Sequence, residues 1–133
     1  MEVIVLDGQR SVLIVDHSEE TREVLQTALE RRGLRTFSAS RAGAGLELAR
    51  RHRPDLIVLD LELDDAGSED LPGGFAEQSC RDHIPLVMLG TVRRDAKSPP
   101  EGEFVAKPYH YGPLIRKIEE LLHTPPVALR RSA

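Results

Sequence analysis

Asp55-Leu56-Ile57-Val58-Leu59-Asp60 is a short apolar run, entered from Pro54 and closed by a carboxylate. A run of this length with Ile and Val at its centre reads as a strand buried on both faces, as in a parallel sheet. Ligands of open α/β sheets sit just beyond the carboxyl ends of the strands. Asp60 therefore falls where an acid can do chemistry. Val12-Leu13-Ile14-Val15-Asp16 ends in the same way. Two strands that each deliver an Asp to one edge predict a shared acidic pocket, although two such acids can equally be N-caps of the following helices. A third run, Phe104-Val105-Ala106, leads into Lys107-Pro108. A lysine at the same edge favours the pocket.

Outward from these runs, apolar strands alternate with helical patterns, which predicts an α/β fold with a parallel sheet and helices on both faces. After the strand at 12–15, Ser18 is the expected N-cap of a helix with Glu19 and Glu20 in its first turn. Val24, Leu25, Ala28 and Leu29 form its buried stripe, and Gly33 is its stop signal. Residues 34–37 predict the second strand. Ser40 is the expected cap of a helix carrying Leu46, Leu48 and Ala49, which ends before Pro54. The third helix is poorly signalled: Leu71-Pro72-Gly73-Gly74 interrupts it, and only 75–80 reads as helical. Strands are expected at 84–89 and 104–106, and a last helix at 113–122. Pro99 and Pro100 cannot lie inside a helix, so any helix between the last two strands is shortened or missing. Residues 1–10 form an N-terminal extension, in which Val3 to Leu6 is strand-like and Asp7-Gly8 is a turn signal. Residues 124–133 read as a disordered tail.

Acid after strand one, Asp after strand three and Lys-Pro after strand five, in this order and spacing, resemble the receiver domain of two-component response regulators. The similarity covers about residues 11–123. It implies a flavodoxin-like, doubly wound five-stranded parallel sheet of order 2-1-3-4-5. It also implies a signalling module of the CheY-like type rather than an enzyme, and the absence of a signal-peptide start makes a cytoplasmic one the expectation. By the resemblance, Asp60 matches the phosphoacceptor, Asp16 an acidic metal ligand, and Lys107 the lysine that contacts the phosphoryl group. The implied cofactor is Mg²⁺, and the implied partner is a histidine kinase or a phosphotransfer protein.

Several residues depart from the family pattern. The usual acid pair reads Asp16-His17, and imidazole is a poor magnesium ligand but a good one for zinc, nickel or copper. Three readings of His17 stand: a magnesium site weakened by loss of one carboxylate, a charged imidazole that replaces part of the ion's charge, or a side chain turned to solvent. Gly90 stands where receivers carry a Ser or Thr hydroxyl, and Thr91 is the candidate that serves one residue later. Phe104 matches the aromatic switch position without a hydroxyl. Glu62, two residues past Asp60, offers a substitute carboxylate for the metal. His17, Gly90 and the broken helix before the last strand support an alternative reading: a phosphorylation-independent pseudo-receiver that acts as a protein-protein interaction module.

Bulk properties remove other classes. The 133 residues make one domain of ordinary size, and 18 basic against 22 acidic residues give a net charge of −4, which calls for neither a nucleic-acid nor a membrane surface. A single cysteine, Cys80, excludes an internal disulfide. The chain lacks a signal-peptide start and a run long enough to span a membrane. A haloacid-dehalogenase-type hydrolase needs a second Asp two residues after the first, where this chain has Glu62, and a cap domain for which there is little room. Gly43-Ala44-Gly45 is not a dinucleotide fingerprint. A homodimer through the extra strand or an altered fourth-helix face is compatible with the sequence.

Overall fold

The computed structural model describes residues 9–62, 70–91 and 102–123. Five strands form one parallel sheet: β1 (Ser11–Val15), β2 (Arg35–Ala39), β3 (Leu56–Asp60), β4 (Leu86–Gly90) and β5 (Gly102–Ala106). Their order across the sheet is β2-β1-β3-β4-β5, as expected. The helices among the described residues are α1 (Glu19–Glu30), α2 (Ala42–His52), α3 (Asp70–Asp82) and α4 (Tyr111–Leu122). The expectations for residues 1–8, for a helix within 92–101 and for the tail at 124–133 fall outside the described residues.

Because side chains alternate across a strand, the sheet builds two cores. Val12, Ile14, Leu56, Val58, Val87 and Leu89 face α1 and α4, meeting Leu25, Leu29, Leu114 and Ile118. Leu13, Val15, Ile57, Leu59, Leu86 and Met88 face α2 and α3, meeting Ala42, Leu46, Ala49 and Phe75. All five residues of β3 and of β4 are buried, which is what a central strand covered on both faces requires.

Several boundaries differ from the sequence-based expectation. The third helix is 13 residues long, not the short 75–80 stretch. Pro72 lies in its first turn, where a missing N–H costs nothing. Gly74 serves a close approach, since a Cβ there would lie 2.8 Å from Leu46 Cδ2 on α2. The last helix starts two residues before Pro113, again leaving the proline in the first turn. β2 is shifted to 35–39, and β4 begins after Pro85 and takes in Gly90. Arg41, not Ser40, is the N-cap residue of α2, and no side chain caps it. Ser18 does cap α1, its hydroxyl accepting from the Thr21 N–H. Gly33, past the end of α1, takes φ +85°, a conformation that favours glycine.

Candidate functional site

Strand register assembles the site. β1 and β3 are parallel neighbours with Val15 opposite Leu59, so the next residue of each, Asp16 and Asp60, emerges at the same edge. On the other side of β3, Asp60 pairs with Leu89, and Gly90 pairs with Ala106 of β5. Thr91 and Lys107 therefore leave the sheet together, tied by the Lys107 N–H donating to the Gly90 carbonyl at 2.8 Å. The Lys107–Pro108 peptide is cis.

Asp60 is fully buried at this edge. Its Oδ1 accepts from Lys107 Nζ at 2.7 Å and from the Glu62 N–H at 3.0 Å, and its Oδ2 lies 3.0 Å from His17 Nδ1. Burial pushes the Asp60 carboxyl up, but the bonds from Lys107, Glu62 N–H and His17 outweigh it and hold the pKa below the usual value. Asp60 is thus a carboxylate, and the proton of its contact with His17 sits on Nδ1. Asp16 is buried too, and its Oδ1 accepts from the Ser18 N–H at 2.9 Å. Burial dominates there and raises its pKa, with the Ser18 bond opposing and Asp60 adding to the rise. Burial likewise disfavours the Lys107 charge, yet its bonds to Asp60 and Glu62 raise its pKa overall.

His17 does not simply turn to solvent: about half exposed, it reaches across to Asp60. Asp16, His17 and Asp60 offer ligand atoms within 4.8 Å of one another. Two buried carboxylates suit magnesium, which is usually held by one or two carboxylates and several waters. The imidazole nitrogen adds nothing for so hard an ion.

The Glu62 and Thr91 side chains, offered by the sequence as a metal ligand and a switch hydroxyl, meet each other in the structure. The Glu62 carboxylate lies on the Lys107 side of Asp60, outside the Asp16–His17–Asp60 group. Its Oε2 accepts from both the N–H and the hydroxyl of Thr91, at 2.8 and 2.5 Å, and its Oε1 from Lys107 Nζ at 3.3 Å. The Thr91 hydroxyl, followed by its N–H, lowers the Glu62 pKa from 4.5 to about 2. A depressed carboxyl contributes stability that is present above its unfolded value and lost as pH falls through the folded one. The wild-type chain is therefore expected to lose more stability than Glu62→Gln between pH 4.5 and about 2. Urea unfolding across that window measures it, and parallel pH profiles of the two chains would refute it. The effect is modest because the group is exposed and its charge is screened by solvent.

Beside the acids is a cleft of about 490 Å³, lined by Thr21, Pro108, Tyr109 and Tyr111 together with Asp16 and Lys107. Tyr109 and Tyr111 meet edge to face at 5.9 Å, and the Tyr111 hydroxyl lies 3.3 Å from Thr21 Oγ1. Burial, then the Asp16 carboxylate, raises the Tyr109 pKa. Sequence reasoning missed this lining. Its signal was two aromatics directly after Lys107-Pro108 in a chain that is only 4% aromatic.

The model of the response regulator receiver domain family matches residues 12–119. This chain is a response-regulator receiver domain. The receiver is 31% identical over 126 residues to the KDP operon transcriptional regulatory protein KdpE of Escherichia coli, covering 91% of this chain and 52% of that protein. It is 29% identical over 80 residues to the polar-differentiation response regulator DivK of Brucella anthropi, covering 60% of this chain and 65% of that protein. The receiver thus spans between about half and two thirds of these two relatives. Among solved structures, a two-component response regulator from Clostridium difficile aligns with a TM-score of 0.71 at 20% identity, over 86% of this chain and 96% of that one. A response regulator from Chloroflexus aurantiacus aligns equally well, with 0.71 at 19% identity over 88% and 100% of the two chains. At such identities the structural matches speak for the fold. Receivers are signalling modules of two-component systems, and no helix among the described residues is long and apolar enough to cross a membrane.

Proposed function

We propose that this receiver accepts a phosphoryl group on Asp60 from the phosphohistidine of a histidine kinase or phosphotransfer protein. The observation that carries the reading is the buried Asp60 carboxylate held by Lys107 Nζ at 2.7 Å. An oxygen of Asp60 attacks phosphorus, a P–O bond forms as the donor's P–N bond breaks, and the donor imidazole leaves with a proton from solvent. Lys107 supplies a fixed positive charge beside the equatorial oxygens. His17 Nδ1–H holds the second Asp60 oxygen and orients the carboxylate. Asp16 and Asp60 would hold magnesium, which supplies further positive charge for the phosphoryl oxygens.

The test is intact-protein mass after incubation with acetyl phosphate, with and without magnesium, beside Asp60→Asn. A gain of one phosphoryl group that vanishes in the variant is expected. No gain in a folded wild-type chain would overturn the reading. It would favour a receiver fold that binds partners without phosphorylation, a second reading supported by Gly90 at the hydroxyl position and by His17 in place of an acid.

A further inference from the structure

Three donors beside Asp60 converge on a carboxylate that belongs to the chain itself. The Thr91 N–H and hydroxyl and the Lys107 ammonium all bond to Glu62. Lys107 is shared: the same Nζ that holds Asp60 at 2.7 Å reaches Glu62 at 3.3 Å. An anion placed between these donors therefore lies next to Asp60, where a group transferred to it must put its oxygens. Oxyanions of carboxylates and phosphates seek the same partners, an ammonium, a hydroxyl and a backbone N–H. Charge points the same way. Glu62 and Asp60 already share the one Lys107 ammonium, so a phosphoryl group arriving with Glu62 in place meets a like charge on the donors it needs. Glu62 is itself exposed and only two residues past Asp60, free to leave toward water where Asp60 is not.

We propose that the Glu62 carboxylate is a built-in occupant of the pocket that receives the phosphoryl group, holding Thr91 and Lys107 until the incoming group displaces it. This inference rests on the reading of Asp60 as the acceptor. Glu62 is then a gate on phosphorylation: it slows acceptance and holds Thr91 in the place a phosphoryl group would give it.

The experiment uses the full chain as wild type, Glu62→Gln and Glu62→Ala. Inorganic phosphate is titrated while the Thr91 amide resonance is followed by NMR, and phosphoryl gain from acetyl phosphate is timed by mass. Loss of a charge-assisted competitor is expected to tighten phosphate at Thr91 by about tenfold or more in Glu62→Ala. Glu62→Gln is expected to shift the same way by less. The rate of phosphoryl gain is expected to rise in the same order. Phosphate affinity at Thr91 that is equal in all three chains would overturn the inference, whatever the rates. Tighter phosphate in the variants with no phosphoryl gain in any chain would uphold Glu62 as the occupant of an anion pocket but sink the reading of Asp60 and, with it, the gating of phosphorylation.

Discussion

Lys107→Met is expected to lower the unfolding free energy by about 3 kcal/mol near neutral pH, the low end for breaking a buried ion pair. Asp60→Asn in the same chain is expected to restore most of it. Without Lys107, the fully buried Asp60 carboxylate keeps only the Glu62 N–H and His17, with the buried Asp16 carboxylate nearby. The low end applies because the Lys107 side chain is 21% exposed, so water already shares its charge. Asparagine removes the uncompensated charge while keeping the side-chain size. The two substitutions should thus be strongly non-additive in a double-mutant cycle read from urea midpoints at constant slope. The sign with pH follows. With its lysine gone, Asp60 protonates more readily in the folded chain, so the deficit of Lys107→Met should shrink as pH falls. A deficit under about 0.5 kcal/mol, or simple additivity, would show that the pair is not what neutralises this edge.

Gly45→Val is expected to cost about 3 kcal/mol, the upper end of overpacking a filled core. A Cβ at Gly45 would lie 2.7 and 2.9 Å from the two Cγ atoms of Val15 and 3.3 Å from Phe75 Cζ. Both neighbours are fully buried, so neither can swing into solvent. Valine adds two more methyl groups, and its gain in helix propensity over glycine is only about 0.4 kcal/mol. Gly112→Ala is the contrasting case. Its Cβ would meet Arg116 Nη1 at an ordinary 3.7 Å, so the propensity gain of up to about 1 kcal/mol is free to appear as added stability. Thermal unfolding should move in opposite directions for the two variants, and a Gly45→Val midpoint at or above wild type would refute the packing argument. The strain at Gly45 also reaches the site, because Val15 is the residue before Asp16. Gly45→Val chains that still fold should take up phosphoryl groups more slowly than wild type.

Much of the architecture was legible because β3 and β4 are continuous apolar runs, and such runs have few alternatives to a doubly covered strand. The β3 run ends on Asp60 and the β1 run leads into Asp16 in the same way, so the acidic edge was legible with them, and Lys107 followed from its place after Ala106. The third helix was not, because Pro72, Gly73 and Gly74 are local helix breakers by propensity. A first-turn position removes the cost at Pro72, and the approach of Leu46 gives Gly74 a reason, yet neither is visible without the neighbouring helix. Gly45 looked like a non-match to a nucleotide motif and turns out to be a contact with Val15 and Phe75. The largest gap concerned Glu62 and His17, each offered several roles by residue type alone. Hydrophobic periodicity is a local property, written every two or 3.6 residues, so the chain could declare its strands, most of its helices and the acids at their ends. Which donor meets which carboxylate depends on parallel register between segments 29 to 47 residues apart. Only packing of the sheet set His17 on Asp60 and turned Glu62 away from Asp16 toward Thr91 and Lys107.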